Sequence, residues 1–307
     1  MNISFEHIKQ FFADPEFRFL FLAKYGFLNR MDDKEYLEKL FYISFHKKLN
    51  LDNPKTYSEK LQWIKLYDHN STYTVMADKY LAKEFVESKI GNEYIIPTLG
   101  VWDNVEDIDF EKLPNQFVLK CTHDSHGLVI CKDKRTLDIQ KCKHDLKKAL
   151  TTNYYYKFRE WPYKDIKPRI IAEKYMEDST TKDLRDYKFF CFGGEVKLLF
   201  VATDRQDIHE ETKFDFFDLD FNHLDIVNGH PNATNIIEKP KSFERMIELA
   251  KILSAGIPHV RVDFYDVEGK PYFGEMTFFH WSGLKPFEPE EWDYKMGEWL
   301  VLPKKKM

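Results

Sequence analysis

After Pro168 this chain breaks into short apolar runs separated by turn residues, at 169–176, 187–192, 196–202, 214–219, 259–266 and 272–278. A single helix-length stretch, 242–254, interrupts them before Gly256. Strands that dominate a lobe, with helices around them, predict an α+β arrangement with an antiparallel sheet. Upstream, residues 1–75 read as helical. Thr56 followed by Glu59 is a capping box, opening a helix whose Leu61, Ile64 and Leu66 give it an apolar face. A second helix near 76–90 ends at Gly91, a good residue just past a helix end. Strand-like runs follow around 94–96 and at 116–121 and 128–132, then a helix near 138–151. At 307 residues the chain exceeds what one core usually serves. We therefore divide it into a helical region 1–75, a first α+β lobe 76–167 and a second 168–307.

The segment 116–130 says most about chemistry. An apolar run, Phe117-Val118-Leu119, ends at Lys120; a small polar stretch reaches Gly127; a second run, Leu128-Val129-Ile130, returns. A lysine at the lip of a strand before a flexible tip suits a flap closing on phosphates, where backbone N–H groups form an anion-binding concavity and the ammonium adds a point charge. The plainer reading is an ordinary hairpin with its lysine in solvent. It is not a Walker loop, because GxxxxGK[ST] is absent.

Far downstream, Arg261-Val-Asp263 and Glu275-Met-Thr277 flank the turn at 266–270. An odd-numbered loop centred on Gly269 places Asp263 opposite Glu275, with Cβ atoms about 5 Å apart. Two carboxylates that close repel unless a cation lies between them. Magnesium held by one or two carboxylates and substrate phosphates meets that need; so does a cross-strand network in which Arg261 or Lys270 neutralises both acids. Two further clusters stand out. Glu173-Lys174-Tyr175-Met176 closes an apolar strand, as segments offering backbone groups to a purine edge do. In Asp186-Tyr187-Lys188, alternation puts the two charged residues on one face, toward ligand or toward solvent.

Composition narrows the partners. A net charge of −5 argues against nucleic-acid binding through bulk electrostatics. Cys121, Cys131, Cys142 and Cys191 form no CxxC pair, and charged residues interrupt the N-terminus, so a reducing cytoplasm is expected. The Phe- and Leu-rich stretch 17–31 is too short to span a bilayer; we read it as a buried helix, with peripheral contact at the inner membrane face left open. Oligomeric state is not legible.

Taken in order, the segments 53–68, 77–80, 117–127, 173–176, 186–194 and the last hairpin resemble the ATP-grasp superfamily and, more narrowly, the TupA-like ATP-grasp family found in bacterial polysaccharide gene clusters. The resemblance implies two α+β lobes enclosing ATP, with 122–127 as a closing flap carrying His123, Ser125 and Gly127. Lys79 and Lys120 match two phosphate-binding lysines. Glu173, Lys174, Tyr175 and Met176 match an adenine-contacting strand and hinge. Asp186-Tyr-Lys188 is similar to an Asp-x-Arg element of related ligases, with Lys188, Arg205 and Arg261 about the transferring phosphoryl group. Asp263 and Glu275 match Mg²⁺ ligands. Thr277 stands at the third metal contact, where many relatives have asparagine, and His126 where a glycine is expected. The implied reaction is ATP-dependent carboxylate–amine ligation through an acyl phosphate, joining an amino acid or amine to a uronic-acid sugar of a surface polysaccharide or its precursor. The rivals are a glycosyltransferase using Asp218-Leu-Asp220, a sugar kinase on the same fold, and a binding module without turnover.

Overall fold

Alternation along the strands decides which side chains face a core and which face a cleft. The computed structural model describes residues 5–124, 127–178, 184–204 and 211–305. The helices are α1 (Phe5–Ala13), α2 (Pro15–Lys24), α3 (Asp33–Phe45), α4 (Tyr57–Tyr67), α5 (Thr72–Ala77), α6 (Leu81–Ile90), α7 (Ile139–Leu150), α8 (Tyr155–Phe158), α9 (Phe243–Ser254) and α10 (Glu291–Trp299). The strands are β1 (Thr98–Trp102), β2 (Phe117–Cys121), β3 (Leu128–Cys131), β4 (Ile170–Lys174), β5 (Asp186–Phe192), β6 (Glu195–Thr203), β7 (Lys213–Phe217), β8 (His223–Leu224), β9 (His259–Val267) and β10 (Lys270–Thr277). They form two antiparallel sheets, one of four strands ordered β1-β4-β2-β3 and one of six ordered β10-β9-β5-β6-β7-β8. The expected α+β class holds.

Each sheet buries one apolar layer. In β2, Phe117, Leu119 and Cys121 turn inward onto Leu146 of α7, while Val118 and Lys120 occupy the alternate, half-buried face. The larger core joins β5, β6 and β9 to α9 through Phe189, Phe243, Leu249 and Phe264. Helix α4 packs against this body by its Tyr57 ring, which meets Phe190, Phe192 and His259 edge-on. Its capping box is formed as expected, Glu59 N–H donating to Thr56 Oγ1 at 3.1 Å and Thr56 N–H to Glu59 Oε2 at 3.1 Å.

Several expectations are revised. The helix read at 76–90 is two helices, α5 and α6, broken at 78–80. Asp78 caps α6 by accepting from the N–H groups of Tyr80 and Leu81, and the freed Lys79 N–H donates to Thr122 O at 3.0 Å. The break thus ties Lys79 to the tip of the β2–β3 hairpin. Of the strand placed at 94–96, Tyr94 ends a 3₁₀ turn, Asn92–Tyr94, and Ile95 makes an isolated bridge to Phe273; the first full strand follows Pro97. Strand β4, assigned above to the second lobe, hydrogen-bonds to β1 and β2 and so joins the first sheet. Helix α2 is not the buried helix expected of 17–31. None of its residues is buried, and Leu20, Tyr25 and Phe27 are exposed, because this helix meets little beyond α1 and the Tyr36 ring of α3. Among the described residues no helix is long and apolar enough to cross a membrane.

The β9–β10 hairpin places Asp263 opposite Glu275, as expected, by a different route. The loop has two residues, Glu268 (φ 55°) and Gly269 (φ 82°), between the paired Val267 and Lys270. Positive φ at both positions is the type I′ turn that matches strand twist, and Gly269 adopts it without a Cβ penalty. That turn alone would pair Asp263 with Gly274. A bulge between Phe273 and Glu275 shifts the register by one and brings Glu275 across from Asp263.

Candidate active site

The two sheets face each other across a cleft of about 460 Å³. One side is lined by Lys120 of the first sheet, by Asp124 and Gly127 of the β2–β3 connection and by Lys79 from the break between α5 and α6; the second sheet contributes Asp186, Lys188, Arg261, Glu275 and Thr277. An apolar slot of about 150 Å³ adjoins it, walled by Ile96, Val118, Ile130, Tyr175, Met176 and Leu184. Lys120, Leu128 and Tyr265 line both spaces.

At the first sheet, the Glu173 carboxylate is held between two ammonium groups. Lys120 Nζ lies 2.7 Å from Oε2 and Lys83 Nζ 2.5 Å from Oε1. Burial alone would raise the Glu173 carboxyl, but Lys120 and Lys83 outweigh it and hold the group at about 2. Burial likewise opposes the Lys120 charge, and Glu173 overcomes it, keeping this lysine protonated above its ordinary range. Lys79 donates to Asp124 O at 2.5 Å and reaches across the cleft to within 3.8 Å of Glu275 Oε2.

The depressed Glu173 value makes its ion pairs a pH-dependent support of the fold. Their contribution is complete above the ordinary carboxylate value of 4.5 and is lost as pH falls toward 2. Glu173→Gln is expected to lower stability at pH 7 by about 2 kcal/mol, less than a fully buried pair because Lys120 keeps 20 % of its side chain exposed. The variant should also lack this share of the acid-side loss. Denaturant midpoints taken between pH 7 and pH 3 check both; parallel profiles for variant and parent would remove the assignment.

At the second sheet a buried ionic cluster joins three strands. Lys188 Nζ contacts Asp186 at 2.7 Å and also Asp263. Arg261 grips Asp263 with both arms of its fork, Nε to Oδ1 at 2.8 Å and Nη2 to Oδ2 at 2.8 Å. Its Nη2 also donates to Thr277 Oγ1 at 3.0 Å and lies 3.7 Å from Glu275 Oε1. Burial works against the guanidinium, yet Asp263 and Glu275 more than compensate and hold it charged. Behind it, burial and the Arg261 charge push the His280 imidazole well below its ordinary range. The ring is therefore neutral: Nδ1 accepts from Arg261 Nη1 at 2.8 Å, and Nε2–H donates to Asn228 Oδ1 at 2.9 Å. Asn228 is fixed in turn by donating to Lys285 O and Pro286 O. Asp263 is 1 % exposed on its side chain and Glu275 40 %, so of this pair Glu275 is the one accessible from the cleft.

A model of the family described as TupA-like ATP-grasp matches residues 59–301, from α4 to just past α10. The chain belongs to the TupA-like ATP-grasp family. Solved structures similar to it include D-alanine–D-alanine ligase from Bacillus anthracis, at 19 % identity over 66 % of this chain and 57 % of that one, TM-score 0.39. Another is biotin carboxylase from Campylobacter jejuni, at 16 % identity over 75 % and 48 %, TM-score 0.41. The chain thus spans about half the length of these two proteins. No curated protein sequence matches it.

In this TupA-like ATP-grasp chain, Lys79, Lys120, Gly127, Asp186, Lys188, Arg261, Glu275 and Thr277 line one cleft, and Asp263 lies directly beneath it. Lys174, Tyr175 and Met176 line the apolar slot together with Glu173. One residue falls elsewhere. His123 is buried and turned away, its Nε2 lying 3.1 Å from Thr152 O, so it does not belong to the cleft lining. Ser125 and Arg205, like His126, lie outside the described residues. Of the flap tip's described N–H groups, that of Gly127 donates to the Asp124 carboxylate at 3.0 Å. Arg159 is buried against Tyr36 and pairs with Asp33 at 3.0 Å. Asp218 of the DxD triplet accepts from the N–H groups of Asp220 and Asn222, which makes it the cap of the β7–β8 turn.

Sequence reading missed Lys83, Asn228 and His280. Lys83 carried a signal, standing one helical turn beyond Lys79. The other two carried none, since each acts through a partner distant in sequence.

Proposed function

We propose that the chain binds ATP with its adenine in the apolar slot and its phosphates along the cleft. It would then use the γ-phosphoryl group to join a carboxylate to an amine. The observation that carries this reading is the convergence on one cleft of Lys79 from the α5–α6 break and Lys120 from the first sheet with Lys188, Arg261 and Glu275 from the second. Four cations around a lined, partly apolar space suit a triphosphate better than any neutral ligand.

In the proposed reaction a substrate carboxylate oxygen attacks the γ-phosphorus, the bond to the ADP oxygen breaks, and an acyl phosphate forms. The amine nitrogen then attacks the acyl carbon, phosphate leaves with the carbon–oxygen bond, and the amine gives up its proton. Lys79 and Lys120 orient the phosphates, and Lys188 and Arg261 offset charge on the transferring group. Closing the lobes keeps water from the acyl phosphate.

The donor chemistry fits a magnesium ion arriving with the nucleotide. Among the described residues no three carboxylate, imidazole or thiolate groups converge on one point, so the ion would rest on Glu275 and on phosphate oxygens, Asp263 being taken up by Arg261 and Lys188. It would supply charge neutralisation across the β- and γ-phosphates. The family resemblance supports a uronic-acid sugar of a surface polysaccharide or its precursor as the carboxylate, and an amino acid or other amine as its partner. Four free, buried thiols and the demand for ATP support a cytoplasmic setting.

Calorimetric titration with ATP, ADP and UDP-sugars, with and without Mg²⁺, is the first test. Magnesium-dependent adenine-nucleotide binding, followed by ADP release that requires both a uronic acid and an amine, is the expected result. ADP release with a sugar hydroxyl and no amine would make the protein a kinase. UDP-sugar binding without ATP would make it a transferase.

A further inference from the structure

Beyond the ionic cluster, the cleft ends against the 3₁₀ turn His280–Gly283, whose backbone is unusual. Trp281 (φ 47°, ψ 27°), Ser282 (φ 57°, ψ 14°) and Gly283 (φ 60°) lie consecutively in the left-handed region. Two non-glycine residues there in a row persist only when their surroundings hold them. Helix α4 does so with two buried polar side chains. Lys65 Nζ donates to Ser282 O at 2.7 Å, and Gln62 Nε2 donates to Ser282 O and Gly283 O, each at 2.9 Å. Burying a lysine and a glutamine to secure one turn marks the turn as more than a connection.

Three residues of the turn face the cleft. His280 braces Arg261 at 2.8 Å, and Ser282 Oγ donates to the buried Glu160, which lines the cleft. Trp281 between them is 43 % exposed yet lines the same cleft. Its indole lies over Gly229, where a Cβ would stand 2.8 Å from the ring, and against Phe214 and His230 at centroid distances of 6.1 and 5.7 Å. Lys157 stands nearby over the rings of Tyr154 and Phe158.

We propose that Trp281 is the stacking platform for a pyranose ring of the carboxylate-bearing substrate, with Glu160 and Lys157 as its polar flank. A pyranose presents one face of C–H groups to an indole and a rim of hydroxyls to charged side chains, which is the pairing this end of the cleft offers. The base of the nucleotide already has its own apolar slot beyond Lys120. Because Arg261 touches the same turn through His280, a ring seated on Trp281 would have its carboxylate directed along the cleft toward the guanidinium. This inference rests on the ligase reading above and adds where its sugar is held.

The test is calorimetry on the whole protein, its W281F and W281A variants, with Mg-ATP, methyl β-D-glucuronide and the ring-free D-gluconate as probes. Binding of the glucuronide by the parent, weakened roughly tenfold in W281A, about 1.4 kcal/mol, is the expected result. W281F should lose less than about threefold, because a smaller ring remains. Affinities for gluconate and Mg-ATP should stay unchanged in both variants. Equal loss for glucuronide and gluconate, no loss at all, or a parent that binds Mg-ATP but no pyranoside would overturn the platform and leave the ligase reading standing. A parent that fails to bind Mg-ATP would overturn both.

Discussion

Asp263→Asn is expected to destabilise the fold by about 3–5 kcal/mol, in addition to abolishing turnover. Asp263 has 1 % of its side chain exposed and accepts from both arms of Arg261 and from Lys188. An amide of the same shape keeps one acceptor oxygen and loses the charge, leaving a guanidinium and an ammonium facing each other without their shared counter-ion. Removing one partner of a buried pair costs far more than the pair contributes, because the remaining charge cannot return to water. Denaturant unfolding of parent and variant measures the cost. A variant within about 1 kcal/mol of the parent would mean that Asp186 and Glu275 carry both cations without Asp263.

Glu275→Gln should show the opposite balance. Its side chain is 40 % exposed, and its cationic neighbours Lys79 and Arg261 lie at 3.8 and 3.7 Å, so the change in stability should stay within about 0.5 kcal/mol. Its effect should fall on catalysis. If magnesium rests on this carboxylate, the half-saturating Mg²⁺ concentration for ADP release should rise at least about tenfold, with turnover lower by about 100-fold. An unaltered magnesium requirement would remove Glu275 from the metal site. The two carboxylates face each other across one hairpin, and burial alone separates a structural test from a chemical one.

That hairpin also shows how a correct reading can rest on the wrong cause. An odd loop centred on Gly269 and a two-residue I′ loop followed by a bulge both place Asp263 against Glu275. Counting residues around a glycine cannot distinguish them, since a bulge leaves no local mark in the apolar pattern. Lys83 and Lys120 make a similar point. Sequence context singles out Lys120 and hints at Lys83, but only the crossing of α6, β2 and β4 brings both ammonium groups onto Glu173. Gln62 and Lys65 of α4 read as the polar side of an amphipathic helix, yet both are buried because the turn at 280–283 needs donors.

What the sequence by itself determined was local or periodic: the capping box at Thr56, the alternation that turns Lys120 away from the core, the antiparallel strands after Pro168, and the motif order that marks the family. Backbone hydrogen bonding and side-chain period act between near neighbours, so they leave a trace in the order of residues. The tertiary structure alone decided which sheet received β4, which lysines share Glu173, that His280 and Asn228 stand behind Arg261, and that Trp281 is held exposed at the end of the cleft. Those outcomes depend on contacts between residues up to 221 positions apart, as from Gln62 to Gly283. Their energies arise from burial and charge that exist only once the chain has closed on itself.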